Sequence, residues 1–328
     1  MIKIVDTSFI NKINIIVMLF NTCNNKCDFC FQTPYHAHLK PIDHFMINTD
    51  QYCQTVCNMI DQLPEHKETV FEIMGGELFA KNINKQLEQF YDSIVNHSAR
   101  PVHLLVYSNL LNNPEVLMDN IDYLASLGVE FEINTSYDFG PVRYKNKKAF
   151  DKYITNARIV NEHLNKYNKS LSTNTMRTTY MLQSLTTHDE QYDFFKWLSV
   201  NTTVDLVELD GSFGYSLSRD QSVELWKLLN QEFPDIEGVK MAFRGSKKSC
   251  QHTRRYAMIG LDVFEGCEAT RFGPINTPSE FKPKRINKRM IAYGCYTCKY
   301  LPKCHLTCSL NPQYDRCDIK EVKDTLKL

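Results

Sequence analysis

"INIIVMLFNTCNNKCDFCFQ", residues 13–32, holds the reading that decides the fold. Its first eight residues, 13–20, form a nearly continuous apolar run rich in branched side chains, which predicts a buried strand. The strand delivers three thiols into one loop, Cys23, Cys27 and Cys30, spaced C-x3-C-x2-C. Three arrangements suit such a loop. A structural zinc site wants four ligands, and "YHAHLKPIDH" downstream offers His36, His38 and His44. A redox pair needs Cys27 and Cys30 and leaves Cys23 idle. A four-iron cluster on three thiolates keeps one iron without a protein ligand, where a substrate or cofactor coordinates.

Downstream, short β-rich runs alternate with amphipathic segments. Strands are predicted over 13–20, 69–74, 102–108, 129–136, 173–182 and 204–209. Helices are predicted over 49–63, 85–95, 114–127, 147–165, 189–198 and 218–232. This alternation predicts an α/β fold of βαβ units around a parallel sheet. Six units do not close an eight-stranded barrel, so a partial (β/α)6 TIM-like barrel is expected. In such sheets ligands gather at the C-terminal strand ends, and the three-cysteine loop follows the first strand there. From about residue 245 Gly, Pro, Cys and basic residues rise, and "GPINTPSEFKPKRINKR" reads as an irregular connection. The expected domains are 1–235 and 236–328.

Composition narrows the class. The chain has 328 residues with 43% hydrophobic and 23% charged side chains, as in a soluble globular protein. Its formal net charge is zero, so bulk charge favours neither nucleic acid nor an anionic membrane. No apolar run reaches the length of a membrane span, and the N-terminus lacks a signal-peptide pattern. A cytoplasmic location is therefore expected. In a reducing compartment clustered cysteines more often bind metal or do chemistry than form disulfides. Here five of the twelve fall before residue 58 and seven after residue 249. Cys53 and Cys57, spaced i, i+4 on a predicted helix, read as buried core thiols.

The cysteine loop with Phe29 before its last thiol, placed after the first strand of a βα series, resembles the radical S-adenosylmethionine (SAM) superfamily. "GGE" at Gly75, Gly76 and Glu77 ends the second predicted strand, where that family carries the same tripeptide. Its glycines let the backbone approach a ligand closely. The Glu77 carboxylate, or backbone oxygens near it, would accept from the methionine ammonium. "YSN", with Ser108 and Asn109, ends the third strand, where the family places ribose contacts. "SYD", with Ser136 and Asp138, ends the fourth and resembles the family's Ser-x-Asp. The resemblance implies a [4Fe-4S] cluster on Cys23, Cys27 and Cys30 whose open iron chelates SAM. It also implies reductive SAM cleavage to a 5′-deoxyadenosyl radical that abstracts hydrogen from an unactivated C–H.

"CYTCKYLPKCHLTC" places Cys295, Cys298, Cys304 and Cys308 at C-x2-C-x5-C-x3-C, followed by Cys317; Cys250, Gly260 and Cys267 lie upstream. This resembles the SPASM extension of some radical SAM enzymes. Six residues separate Gly260 from Cys267 where that family has four. The resemblance implies two auxiliary [4Fe-4S] clusters. Cys295, Cys298, Cys304 and Cys317 would hold one; Cys250, Cys267 and Cys308 would contribute to the other. His252 and His305 are plainer as surface histidines. A zinc module would use the C-x2-C-x5-C-x3-C run but not Cys250, Cys267 and Cys317.

Asp210, ending the last predicted strand, and Glu268, following Cys267, are the candidate catalytic acids; Glu208 shares the strand face of Asp210. Lys282–Arg289, "KPKRINKR", suits a solvated loop or a dock for an acidic peptide or electron carrier. SPASM-bearing enzymes mostly modify peptides or proteins. The expected function is thus a maturase that crosslinks side chains of a ribosomally made precursor peptide, through a C–C or thioether bond. Its expected electron donor is flavodoxin- or ferredoxin-like. Two alternatives are a sulfatase-maturating, formylglycine-forming enzyme and a non-catalytic iron–sulfur or zinc scaffold. Few residues precede the first strand, so the core or a separate protein is expected to recognise the peptide.

Overall fold

The computed structural model describes residues 10–19, 23–25, 27, 48–63, 65–80, 85–136, 144, 146–175, 188–201, 203–207, 219–236, 239, 253–259, 262–265 and 324. The chain divides into two compact units. One comprises residues 1–135, 147–171 and 250–282, the other 136–146, 172–249 and 283–328.

The first unit is built on β1 (Ile10–Met18), β2 (His66–Met74), β3 (Val102–Tyr107) and β4 (Glu130–Ser136, to Thr135 in this unit). Between them run α1 (Thr49–Asp61), α2 (Lys85–His97) and α3 (Pro114–Ser126), and α4 (Lys147–Leu164) follows β4. β1, β2, β3 and β4 pair in parallel in sequence order. Each crossover carries a helix, as parallel pairing requires. The expected α/β class and parallel sheet are therefore present.

Alternation along the strands explains the core. Ile13, Ile15 and Val17 of β1 are fully buried, as are Phe71 and Ile73 of β2 and Leu104 and Val106 of β3. Each such side chain contributes roughly 1.5–3 kcal/mol by leaving water. The residues between them, Asn14, Ile16 and Met18, are half-buried on the opposite face. There the Asn14 amide donates to the Glu72 carboxylate at 2.6 Å, and Glu72 is 4% exposed. The helices show why they start where they do. At α3, Pro114 occupies the first turn and the Asn113 side chain caps it by accepting from the Glu115 N–H.

Two further strands lie upstream of the irregular connection, over a stretch for which no strand is predicted from the sequence. β7 (Thr253–Ile259) pairs in parallel with β1 on the side away from β2, and β8 (Asp262–Glu265) returns antiparallel to β7. β1 is thus an interior strand. The alternation of buried Tyr256 and Met258 in "TRRYAMI", followed by Gly260, was the available signal. It is weak because the run carries two adjacent arginines and the strand that follows it has only four residues.

The second unit contains β5 (Ser172–Thr175) and β6 (Thr203–Val207), paired in parallel with an irregular register at Thr173/Asn174. Helices α5 (His188–Asn201) and α6 (Arg219–Glu232) belong to it. Phe233 sets its ring against Phe195 and Tyr192 at 5.9 and 5.4 Å. The fifth strand expected over 173–182 is described only to Thr175. Among the described residues no helix is long and apolar enough to cross a membrane.

Candidate cofactor site

Chain reversal at the end of β2 builds the site. Gly75 has φ 103° and Gly76 φ 57°, so two consecutive residues take positive φ. The first of these values is essentially glycine territory. The bend turns Glu77 inward, where it is 4% exposed.

A buried carboxylate needs hydrogen-bond donors, and the donors that meet Glu77 include two backbone N–H groups and a hydroxyl. Its Oε1 accepts from the Phe79 N–H at 3.0 Å and from the Ser108 hydroxyl at 2.7 Å. Its Oε2 accepts from the Asn109 N–H at 2.6 Å. Glu77 therefore ties the end of β2 to the end of β3.

The loop after β3 is held equally tightly. Leu110 has φ 56°, a left-handed conformation that costs a non-glycine residue roughly 1–2 kcal/mol. Its neighbours hold it there. The Leu110 N–H donates to the Ser108 Oγ at 3.1 Å, and the Leu111 N–H to the Asn109 Oδ1 at 2.9 Å. From α4, the buried Asn156 amide donates to the carbonyls of Leu110 at 2.6 Å and Asn112 at 2.8 Å. The Asn112 amide donates to the Phe79 carbonyl at 2.6 Å.

This clamp reaches the cysteine loop. The Asn109 Nδ2 donates to the Asn24 Oδ1 at 2.7 Å and lies 3.5 Å from the Cys23 Sγ. The same sulfur accepts from the Asn25 N–H at 3.4 Å, and the Asn25 Nδ2 donates to the Cys27 Sγ at 3.3 Å. N–H donors directed at sulfur favour the thiolate and suit a metal ligand. Cys53 and Cys57 present the opposite environment. Burial is the main cause that raises both thiols above their ordinary range, so they stay protonated. Cys53 is 5% exposed, in the core, and Cys57 is half-buried with its sulfur 3.8 Å from the Ser93 carbonyl.

The structure thus brings together Cys23, Glu77, Ser108 and Asn109, with Gly75 and Gly76 shaping the bend. Ser136 ends β4, and its carbonyl accepts from the Tyr144 hydroxyl at 3.5 Å. Phe29, Cys30, Asp138, Asp210, Cys250, Cys267, Glu268, Cys295, Cys298, Cys304, Cys308 and Cys317 lie outside the described residues. Among the described residues no three His, Cys, Asp or Glu side chains cluster as a metal site. The N–H donors at both sulfurs make Cys23 and Cys27 compatible with thiolate ligands of a metal centre such as an iron–sulfur cluster. Asn24, Asn25 and Asn156 belong to the constellation as well. The asparagines flanking the first cysteine were visible in "NTCNN", but nothing in the sequence linked Asn156 to a loop so far away in the chain. A groove of about 640 Å³ between α1 and α2, lined by Cys57, Asp92 and His97 among others, shares no residue with this site.

No family model matches the chain, and no curated protein matches it. Solved structures similar to the chain include the following two. Native anSMEcpe with bound AdoMet superposes with a TM-score of 0.58 at 13% identity, over 96% of this chain and 98% of that one. Streptococcus suis SuiB bound to S-adenosylmethionine gives a TM-score of 0.37 at 12% identity, over 95% of this chain and 75% of that one. The chain therefore has the fold seen in native anSMEcpe with bound AdoMet.

Proposed function

We propose that this chain is a radical SAM enzyme that modifies a ribosomally synthesised precursor peptide, by joining two of its side chains through a C–C or thioether bond. The observation that carries the reading is the hydrogen-bonded path from the Gly75–Glu77 bend through Asn109 to Cys23. It joins the tripeptide, the end of β3 and the cysteine loop into one constellation. The likeness to a protein whose structure holds bound AdoMet supports it at the level of fold.

In this reading residues 1–235 form a partial (β/α)6 barrel and residues 236–328 a SPASM domain. Cys23, Cys27 and Cys30 would hold the SAM-binding [4Fe-4S] cluster, and the seven tail cysteines two auxiliary ones. The bound cluster and SAM supply the electron transfer and the carbon radical; the polypeptide supplies placement and exclusion of water. Glu77 spends its carboxylate on the backbone of Phe79 and Asn109 and on Ser108. Backbone oxygens near Glu77, the other acceptors that the resemblance implies for the SAM ammonium, would then take that role. Asp210 and Glu268 remain the candidate proton or hydrogen handlers near the substrate, and a flavodoxin- or ferredoxin-type protein the electron source.

The test is co-expression with the genomically adjacent peptide, followed by mass spectrometry. Loss of two hydrogens with sulfur retained supports the crosslink. An aldehyde at a Cys or Ser position of a sulfatase supports formylglycine formation instead. Anaerobic reconstitution should give about twelve irons per chain if three four-iron clusters form. A reduced, iron-loaded chain that releases no 5′-deoxyadenosine from SAM overturns the reading in favour of a scaffold.

A further inference from the structure

We propose that Asn109 is a positioning residue for the cysteine loop rather than a contact of the SAM ribose, and that its side-chain N–H makes the cluster at Cys23 easier to reduce. The inference rests on the radical SAM reading above. The backbone N–H and both polar side-chain atoms of Asn109 are engaged by the protein. Its N–H donates to Glu77, its Oδ1 accepts from Leu111, and its Nδ2 faces both Asn24 and the Cys23 sulfur. Asn109 is 7% exposed. A side chain so occupied has little left to offer a ribose, since an amide has two donor hydrogens and one acceptor oxygen.

The consequence for reduction follows from charge. Adding an electron to a thiolate-bound cluster raises the negative charge on its sulfurs. An N–H directed at one of those sulfurs stabilises the reduced form more than the oxidised one. The donor must be held rigidly to count, because a mobile amide would be replaced by water. Glu77 fixes the backbone of Asn109, and Asn156 braces the next residue, Leu110. The path from Glu77 to Cys23 therefore has no freely rotating link at the amide.

The experiment is an EPR-monitored redox titration of the anaerobically reconstituted full chain, reading the signal that changes when SAM is added. Asn109→Asp keeps the shape and replaces the N–H with an acceptor; Asn109→Ala removes the group; Asn109→Ser restores a small donor if the alanine variant loses iron. Asn109→Asp and Asn109→Ala should keep the SAM-sensitive signal, yet show about a tenfold lower ratio of reduced to oxidised cluster at fixed potential, a displacement of about 59 mV for one electron. Asn109→Asp should be displaced furthest and Asn109→Ser least. Wild-type potentials in Asn109→Asp and Asn109→Ala, with SAM affinity lowered instead, overturn the inference and return Asn109 to the ribose. Absence of any SAM-sensitive signal in the wild-type chain removes the underlying reading, and the inference with it.

Discussion

Replacing Glu77 with Gln puts the strand-end clamp to the sharpest test. The carboxylate accepts from two backbone N–H groups and one hydroxyl, all buried. A glutamine has one acceptor oxygen and one donor nitrogen. If its oxygen takes the position of Oε1, the amide nitrogen meets the Asn109 N–H, donor against donor. In the flipped orientation the nitrogen meets the Phe79 N–H, and the Ser108 hydroxyl must turn round to accept. In either orientation one buried backbone N–H loses its partner, which costs about 1–3 kcal/mol. The surviving bonds also lose their charge assistance, which roughly doubles such bonds. Together the loss comes to about 3 kcal/mol. With a urea m-value near ~3 kcal/mol/M for a chain of this size, the unfolding midpoint should fall by about 1 M. Amide hydrogen exchange should locate the change at Phe79, Asn109 and Leu110, with the α1–α2 pair unaffected. A midpoint within about 0.2 M of wild type, with protected Asn109 and Phe79 amides, would show that the carboxylate does not hold the two strand ends together.

Three further outcomes are expected. Gly75→Ala forces a side chain to φ 103° and should cost about 1–3 kcal/mol, more than Gly76→Ala at φ 57°; equal midpoints in urea would contradict the strain argument. Asn156→Ala removes the donor shared by the Leu110 and Asn112 carbonyls and should cost about 2–4 kcal/mol, with faster exchange at Leu110 and Leu111 in hydrogen-exchange mass spectrometry. His103 gives the pH dependence. Burial first, and Lys12 second, hold it below the ordinary histidine range against the pull of Glu68 and Glu130. The unfolded chain therefore takes up that proton before the folded one does. Stability should decline as pH falls through about 6.5 toward the lower folded value, and His103→Gln should flatten that part of the urea-midpoint profile. A slope unchanged by the substitution would assign it to another group.

The sequence made the parallel core legible because each element carried its own period. The apolar run of β1 and the 3.6-residue pattern of α1 to α4 fell within a few residues of the observed bounds. The β7–β8 hairpin escaped because β8 has only four residues and β7 opens with two adjacent arginines, which blur the alternation marked by the buried Tyr256 and Met258. Within the site, Gly75, Gly76 and Glu77 stood out as a tripeptide at a strand end, yet their division of labour did not. Whether a carboxylate faces a ligand or the protein's own amides depends on where other loops arrive. Ser108 and Asn109 reach Glu77 only through the pairing of β2 with β3. The support from Asn156 is still less visible, since it requires α4 to pack beneath a loop more than forty positions earlier in the chain.

The parallel pairing of β1 with β7 bears on biosynthesis. Lys12 lies opposite Thr253, so the strand that leads into the cysteine loop gains its second neighbour only when most of the chain has left the ribosome. Until then one edge of β1 is open, and the thiols beyond it are carried by a half-supported strand. Such long-range closure is slow. On the radical SAM reading proposed above, the cluster would be loaded after synthesis, once the edge is covered, and expression at low temperature with slow induction should raise the yield of folded chain.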